Sequence, residues 1–144
     1  MTVSIKNEEQ QDKMLFDGTL PSDVLYMNAD NVQTGVTTDE MYLICHKFNT
    51  KKQEAIPAPL KNRGFPKSIC TSVNYVVCHG IPGDKTLMSG EAVNIDISVI
   101  KHGVHGDSSR MFLVGKENIL ATRLSKVAKE AMWLGMEELG PGKR

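Results

Sequence analysis

Asp96 and Asp107, both within VNIDISVIKHGVHGDSSR (residues 93–110), are the residues of this chain best suited to chemistry. The rest of that stretch is β-branched and alternating, as a pair of strands should be. Aspartate is disfavoured in strands because it is short, charged and competes for backbone hydrogen bonds. Two carboxylates kept there are hard oxygen donors of the kind that hold divalent cations.

The turn sets their geometry. With His102-Gly103 as a two-residue loop, Lys101 faces Val104 and Asp96 faces Ser109. Asp107 is then on the same face as Ser109 and diagonal to Asp96, roughly 7–8 Å away at the backbone. A three-residue loop would separate the carboxylates onto opposite faces unless a bulge corrected the register. The short loop also gathers Asn94, Asp96, Ser98, His105, Asp107 and Ser109 on one face, with Val93, Ile95, Ile97 and Val99 behind. Two readings fit this face: the wet side of a half-buried sheet, or a metal site that two ligands do not close. Spacing weighs them equally.

Other candidates are weaker on their own residues. His79 precedes Gly80-Ile81-Pro82-Gly83, where a single histidine reads as structural or surface, and Cys78 beside it as a small apolar residue. No serine sits in a nucleophile-elbow pattern, and GIPGDKT lacks the glycine spacing of a phosphate loop.

The elements that must position the carboxylates follow from periodicity and caps. Asn7 with Gln10 marks a helix start, and Pro21 predicts a kink or restart of that helix. Thr37 with Glu40 caps a second helix that carries Met41, Ile44, Cys45 and Phe48 on one face. Residues 49–68, rich in proline, read as an extended loop. SVNYVVCH reads as a strand ending near His79, followed by strands over 92–101 and 104–114. A last helix carries Leu120, Leu124, Val127, Ala131 and Leu134 on one stripe, stopped by Gly140-Pro141-Gly142. This order predicts an α+β fold with an antiparallel sheet and flanking helices.

The 144 residues are the length of one domain. Its 17 basic and 17 acidic side chains balance, which leaves no electrostatic footprint for nucleic acid or an anionic membrane. Lys61, Arg63 and Lys67 form only a short basic cluster, read as a solvated loop. No stretch is long and apolar enough to span a membrane, and the polar N-terminus does not read as a secretory signal. Three cysteines without framework spacing read as reduced thiols, which places the protein in the cytoplasm.

Taken together, IPAPLKNRGFPKSICTSVNYVVCHGIPGDK and VNIDISVIKHGVHGDSSRMFLVG closely resemble type I methionine aminopeptidases, with GVTTDE also fitting. The resemblance implies the pita-bread fold, in which two related halves enclose two divalent metal ions (Co, Mn, Fe or Zn). It also implies removal of the initiator methionine from nascent polypeptides, at the ribosome, by metal-activated hydroxide. By resemblance, Asp96 grips one metal with both oxygens and Asp107 bridges the pair. His79 contacts the substrate near the scissile bond, and Phe65 and Cys70 line the methionine pocket.

Three departures stand out. Asn62 occupies the place of a usual tyrosine, Pro21 falls where the family helix is uninterrupted, and residues 1–144 correspond to the N-terminal half of the catalytic unit. The other half would supply a histidine and two glutamates, so the chain alone is expected to be inactive. The alternatives are an X-Pro aminopeptidase of the same fold, or a non-catalytic relative acting as a binding or pairing module.

Overall fold

The central strand is β3 (Ala92–Lys101), whose even alternation of buried and half-buried residues divides the molecule into a core side and a solvent-facing side. Val93, Ile95, Ile97 and Val99 are fully buried. Each such side chain contributes about 1.5–3 kcal/mol on leaving water, which makes any slip of register expensive. The computed structural model describes residues 4–116 and 118–143. Around β3 it places α1 (Glu8–Asn28), α2 (Thr38–Lys47), β1 (Ile56–Pro57), β2 (Cys70–Val73), β4 (Val104–Leu113) and α3 (Ile119–Glu137). The sheet is antiparallel throughout. β4 runs along one side of β3, while β1 and β2 lie end to end along the other, pairing with residues 99–100 and 93–96.

The hairpin has the expected two-residue loop. His102 and Gly103 both adopt positive φ (49° and 81°), the backbone that matches the twist of paired strands. Lys101 therefore faces Val104, Asp96 faces Ser109, and Ser98 faces Asp107. Both predicted capping boxes form, Asn7 with Gln10 and Thr37 with Glu40.

Leu20, Val24 and Leu25 of α1 and Met41 and Cys45 of α2 pack into the core formed by β3 together with Ile69, Leu87, Phe112 and Val114. All three cysteines are free thiols. No helix among the described residues is long and apolar enough to cross a membrane.

Three expectations are corrected. The helix does not restart at Pro21; α1 runs continuously from Glu8 to Asn28 with Pro21 buried inside it. Proline has no N–H to give the Asp17 carbonyl four residues earlier, and that freed oxygen packs against Gly106 of β4. A Cβ at Gly106 would lie 2.1 Å from it and 3.2 Å from Pro21 Cδ. The gap in the helix thus docks on the one strand position without a side chain.

The strand expected to end near His79 is instead β2, ending at Val73. Asn74 turns the chain at φ 53°, exchanging hydrogen bonds with Ala92 through its backbone N–H (2.9 Å) and its side-chain oxygen (3.0 Å). Tyr75 and Val77, whose alternation suggested a strand, are 92% and 94% exposed. Finally, the loop over 49–68 contains structure: a π turn at Phe48–Lys52, the short β1, and a tight turn at Asn62–Gly64.

The last helix forms as expected. Asn118 caps it by accepting from Leu120 N–H at 2.9 Å. None of its residues is buried, so Leu120, Leu124, Val127 and Leu134 present their stripe to solvent.

Candidate metal centre

Asp96 sits at the middle of the sheet, directly between Cys70 on β2 and Ser109 on β4. Directly opposed residues share a face, so these three side chains stand on the side away from the core. One step along, Ser98 faces Asp107 and its hydroxyl donates to Asp107 Oδ1 at 2.6 Å. A cleft of about 780 Å³ opens over this face, lined among others by Phe65, Cys70, His79, Asp96, Ser98 and His105. Asp107 stands beside it, held to the lining by Ser98.

The cleft wall carrying Phe65 is built by a backbone that crosses repeatedly into the left-handed region. Lys61, Arg63 and Gly64 have φ of 66°, 49° and 83°. Lys61 N–H donates to Phe65 O (2.8 Å) and Phe65 N–H to Asn62 O (2.9 Å), which closes the turn. Non-glycine residues in that region cost on the order of 1–3 kcal/mol each and persist where the surroundings hold them, often at functional sites.

His79 is placed by its neighbour. It has φ 53°, and Gly80 lies so close to β2 that a Cβ there would be 2.1 Å from Thr71 O. Gly80 O accepts from Thr71 N–H at 2.8 Å, and Gly80 N–H donates to Ser72 Oγ at 3.2 Å. His79 is therefore fixed to the sheet through a glycine that no larger residue could replace without moving the loop.

The electrostatics favour a bound cation. Burial first, then the nearby Asp107 charge, raise the Asp96 pKa above its ordinary 3.8, with His79 opposing. Burial pushes the Cys70 thiol up to about 11, helped by Asp96, Cys78 and Asp107. At neutral pH Cys70 is a neutral, soft wall and not a thiolate ligand or nucleophile. Two carboxylates that repel each other on a partly desolvated face fit hard divalent cations, whose charge removes that repulsion.

A raised acid pKa contributes stability below the unfolded value and loses it as pH rises through the folded one. In the metal-free protein, Asp96→Asn is accordingly expected to raise the melting temperature at pH 7. The gap over the parent should close as the pH falls through the Asp96 pKa. Calorimetry in chelator checks this; an unchanged or lowered melting temperature at pH 7 would show that the Asp96 charge is not a burden.

The structure brings Asp96, Cys70, His79 and Phe65 to one cleft and Asp107 to its edge, and Asn62 stands in the same lining. His102 points elsewhere, its Nδ1 lying 2.9 Å from Oδ1 of the buried Asp17. Glu117 lies outside the described residues. Among the described residues, no group of three or more His, Cys, Asp and Glu comes together to hold a metal. Sequence reasoning missed the Ser98 bond to Asp107, although the two-residue loop already placed them opposite each other. It also missed Arg63, Ala58, Pro59 and Ile81 as lining residues. Ala58 is brought to the sheet by its N–H donating to Ser98 O at 3.0 Å, and Ile81 follows Gly80, which is tied to β2.

Comparison with known proteins identifies the family and the fold. Residues 19–144 match the model of metallopeptidase family M24. The methionine aminopeptidase of Salmonella typhimurium is 48% identical over 145 aligned positions, covering 100% of this chain and 55% of that protein. The crystal structure of the Rickettsia prowazekii methionine aminopeptidase superposes with a TM-score of 0.89 at 48% identity, covering 92% of this chain and 53% of that one. That of Thermotoga maritima gives 0.92 at 25% identity, covering 98% and 57%. The chain spans about half the length of the curated relatives it matches. Its sheet and flanking helices are those of the pita-bread fold. With residues 19–144 matched, this chain belongs to metallopeptidase family M24.

Proposed function

We propose that this chain supplies part of the dinuclear site of a methionine aminopeptidase, acting in the cytoplasm on the N-terminal methionine of nascent chains as they leave the ribosome. One observation carries the reading: Asp96 and His79 share a cleft walled by Phe65 and a neutral Cys70, and Asp107 stands close enough at its edge for its charge to raise the Asp96 pKa. Asp96 and Asp107 would hold the divalent cations. Divalent cations there supply a water of lowered pKa and polarise the carbonyl it attacks. Oxygen and imidazole donors accommodate Co, Mn, Fe and Zn alike. His79 donates a hydrogen bond to the charge that develops on the substrate. A flexible methionine side chain suits the soft wall of Phe65 and Cys70.

Two carboxylates do not close a metal site, and the remaining donors come from outside these 144 residues. This chain is the N-terminal half of the catalytic unit. A second reading, a non-catalytic pairing module, has one observation in its favour: the exposed apolar stripe of α3.

The test is methionine release from a peptide beginning Met-Ala, with Mn²⁺ or Co²⁺ added. It is run on these 144 residues alone and after joining them to the C-terminal portion of the Salmonella typhimurium enzyme. Negligible release alone and clear turnover after joining is the expected pair. Robust release by the chain alone would refute the incomplete ligand set. A joined protein that binds metal without turnover would favour the pairing module, and preferential cleavage of an Xaa-Pro peptide would favour an X-Pro aminopeptidase.

A further inference from the structure

The Ser98 hydroxyl makes a short hydrogen bond to Asp107 Oδ1, 2.6 Å, across the hairpin. That length lies at the short end of the range for a hydroxyl donor. Ser98 and Asp107 are direct cross-strand partners, and Ser98 also lines the cleft. Asp107, in contrast, is exposed on β4. Its carboxylate is on the end of a short side chain, free to exchange rotamers wherever nothing holds it.

We infer that Ser98 is a positioning residue for the metal site, orienting Asp107 so that it offers its remaining lone pairs to the cations. The inference rests on the metallopeptidase reading above. A hydroxyl has one proton, and here it takes one lone pair of Oδ1. The other lone pair of Oδ1 and both of Oδ2 stay available to a cation. Ser98 thus acts by orientation, without touching the metal.

The rest of the hairpin supports this role. Behind Asp107, Gly106 is held against the Asp17 carbonyl of α1, which fixes the strand backbone. Ser98 then fixes the side chain in front. The neighbouring strand positions are core residues, Ile97 and Val99, which hold Ser98 in register. A purely structural cross-strand pair would also join these residues, but it would be felt in folding stability and not in metal affinity.

The experiment measures Mn²⁺ binding by calorimetry to these 144 residues joined to the C-terminal portion of the Salmonella typhimurium enzyme, parent and three variants, with circular dichroism confirming that each is folded. Partners that hold metal ligands typically control affinity by about 10–100-fold. Ser98→Ala is expected to weaken Mn²⁺ binding by about that factor, with Ser98→Thr, which keeps the hydroxyl, restoring affinity near the parent value. Asp107→Asn should abolish binding at the second site. Unchanged affinity in Ser98→Ala, with binding lost in Asp107→Asn, would overturn the positioning role and leave the metal site standing. Unchanged binding in Asp107→Asn would overturn the metal reading itself, and this inference with it.

Discussion

Asp96→Ala, made in a protein with the complete ligand set, is expected to abolish metal-dependent methionine release while leaving the fold intact. Asp96 is the carboxylate at the centre of the sheet, and its direct cross-strand partners, Cys70 and Ser109, are not carboxylates. Charge stabilisation by a bound metal is worth several kcal/mol, and each 1.36 kcal/mol is a factor of ten, so the loss should reach about a thousand-fold in kcat/KM. The fold should survive for a reason already visible in the metal-free structure. Burial and Asp107 hold the Asp96 pKa up, which means that its charge is a burden on the folded state. Turnover assays on a Met-Ala peptide, together with a melting curve, check both halves. Retained activity would show that Asp96 does not hold the metal; a lost fold would show that it has a structural role.

The second large effect is on stability. Gly106→Ala should destabilise the protein by about 1–3 kcal/mol, the usual range for forcing a methyl group into a filled site. The new Cβ would meet the Asp17 carbonyl oxygen at 2.1 Å, and backbone cannot swing aside as a flexible side chain can. Either α1 lifts from β4 or the strand shifts, and the strand carries Asp107 next in sequence. Pro21→Ala restores the N–H that the Asp17 carbonyl lacks, drawing that oxygen back toward the helix axis. The double variant should therefore be less destabilised than the sum of the singles, a coupling of the kind seen between residues in contact. Urea denaturation of the four proteins measures it. A Gly106→Ala protein as stable as the parent would mean that the helix and strand have room to separate.

Much of the site was legible because the hairpin is a local device. A two-residue His102-Gly103 loop determines every pairing in β3 and β4, and strict alternation determines which residues face the core. Asp96, Asp107 and Ser98 could thus be assigned to one face from spacing alone. The capping boxes at Asn7 and Thr37 were legible for the same reason, since each is completed within four residues. The strand misplaced toward His79 shows the limit of periodicity. Tyr75 and Val77 alternate as strand residues do, yet Asn74 turns the chain before them and ties itself to Ala92, far along the sequence.

The sequence by itself determined the paired carboxylates, the register that places them, and the resemblance that gives them a family. Only the tertiary structure decided what stands around them. His79 and Phe65 reach the cleft through left-handed loops whose closure depends on contacts with the distant β2 and within the turn at Lys61–Gly64. Pro21 stands in a continuous helix whose freed Asp17 carbonyl packs against Gly106 of another element. The physical reason is common to both. Propensity and periodicity act between neighbours in the chain, whereas a steric fit or a desolvated charge depends on which distant residue the fold brings alongside.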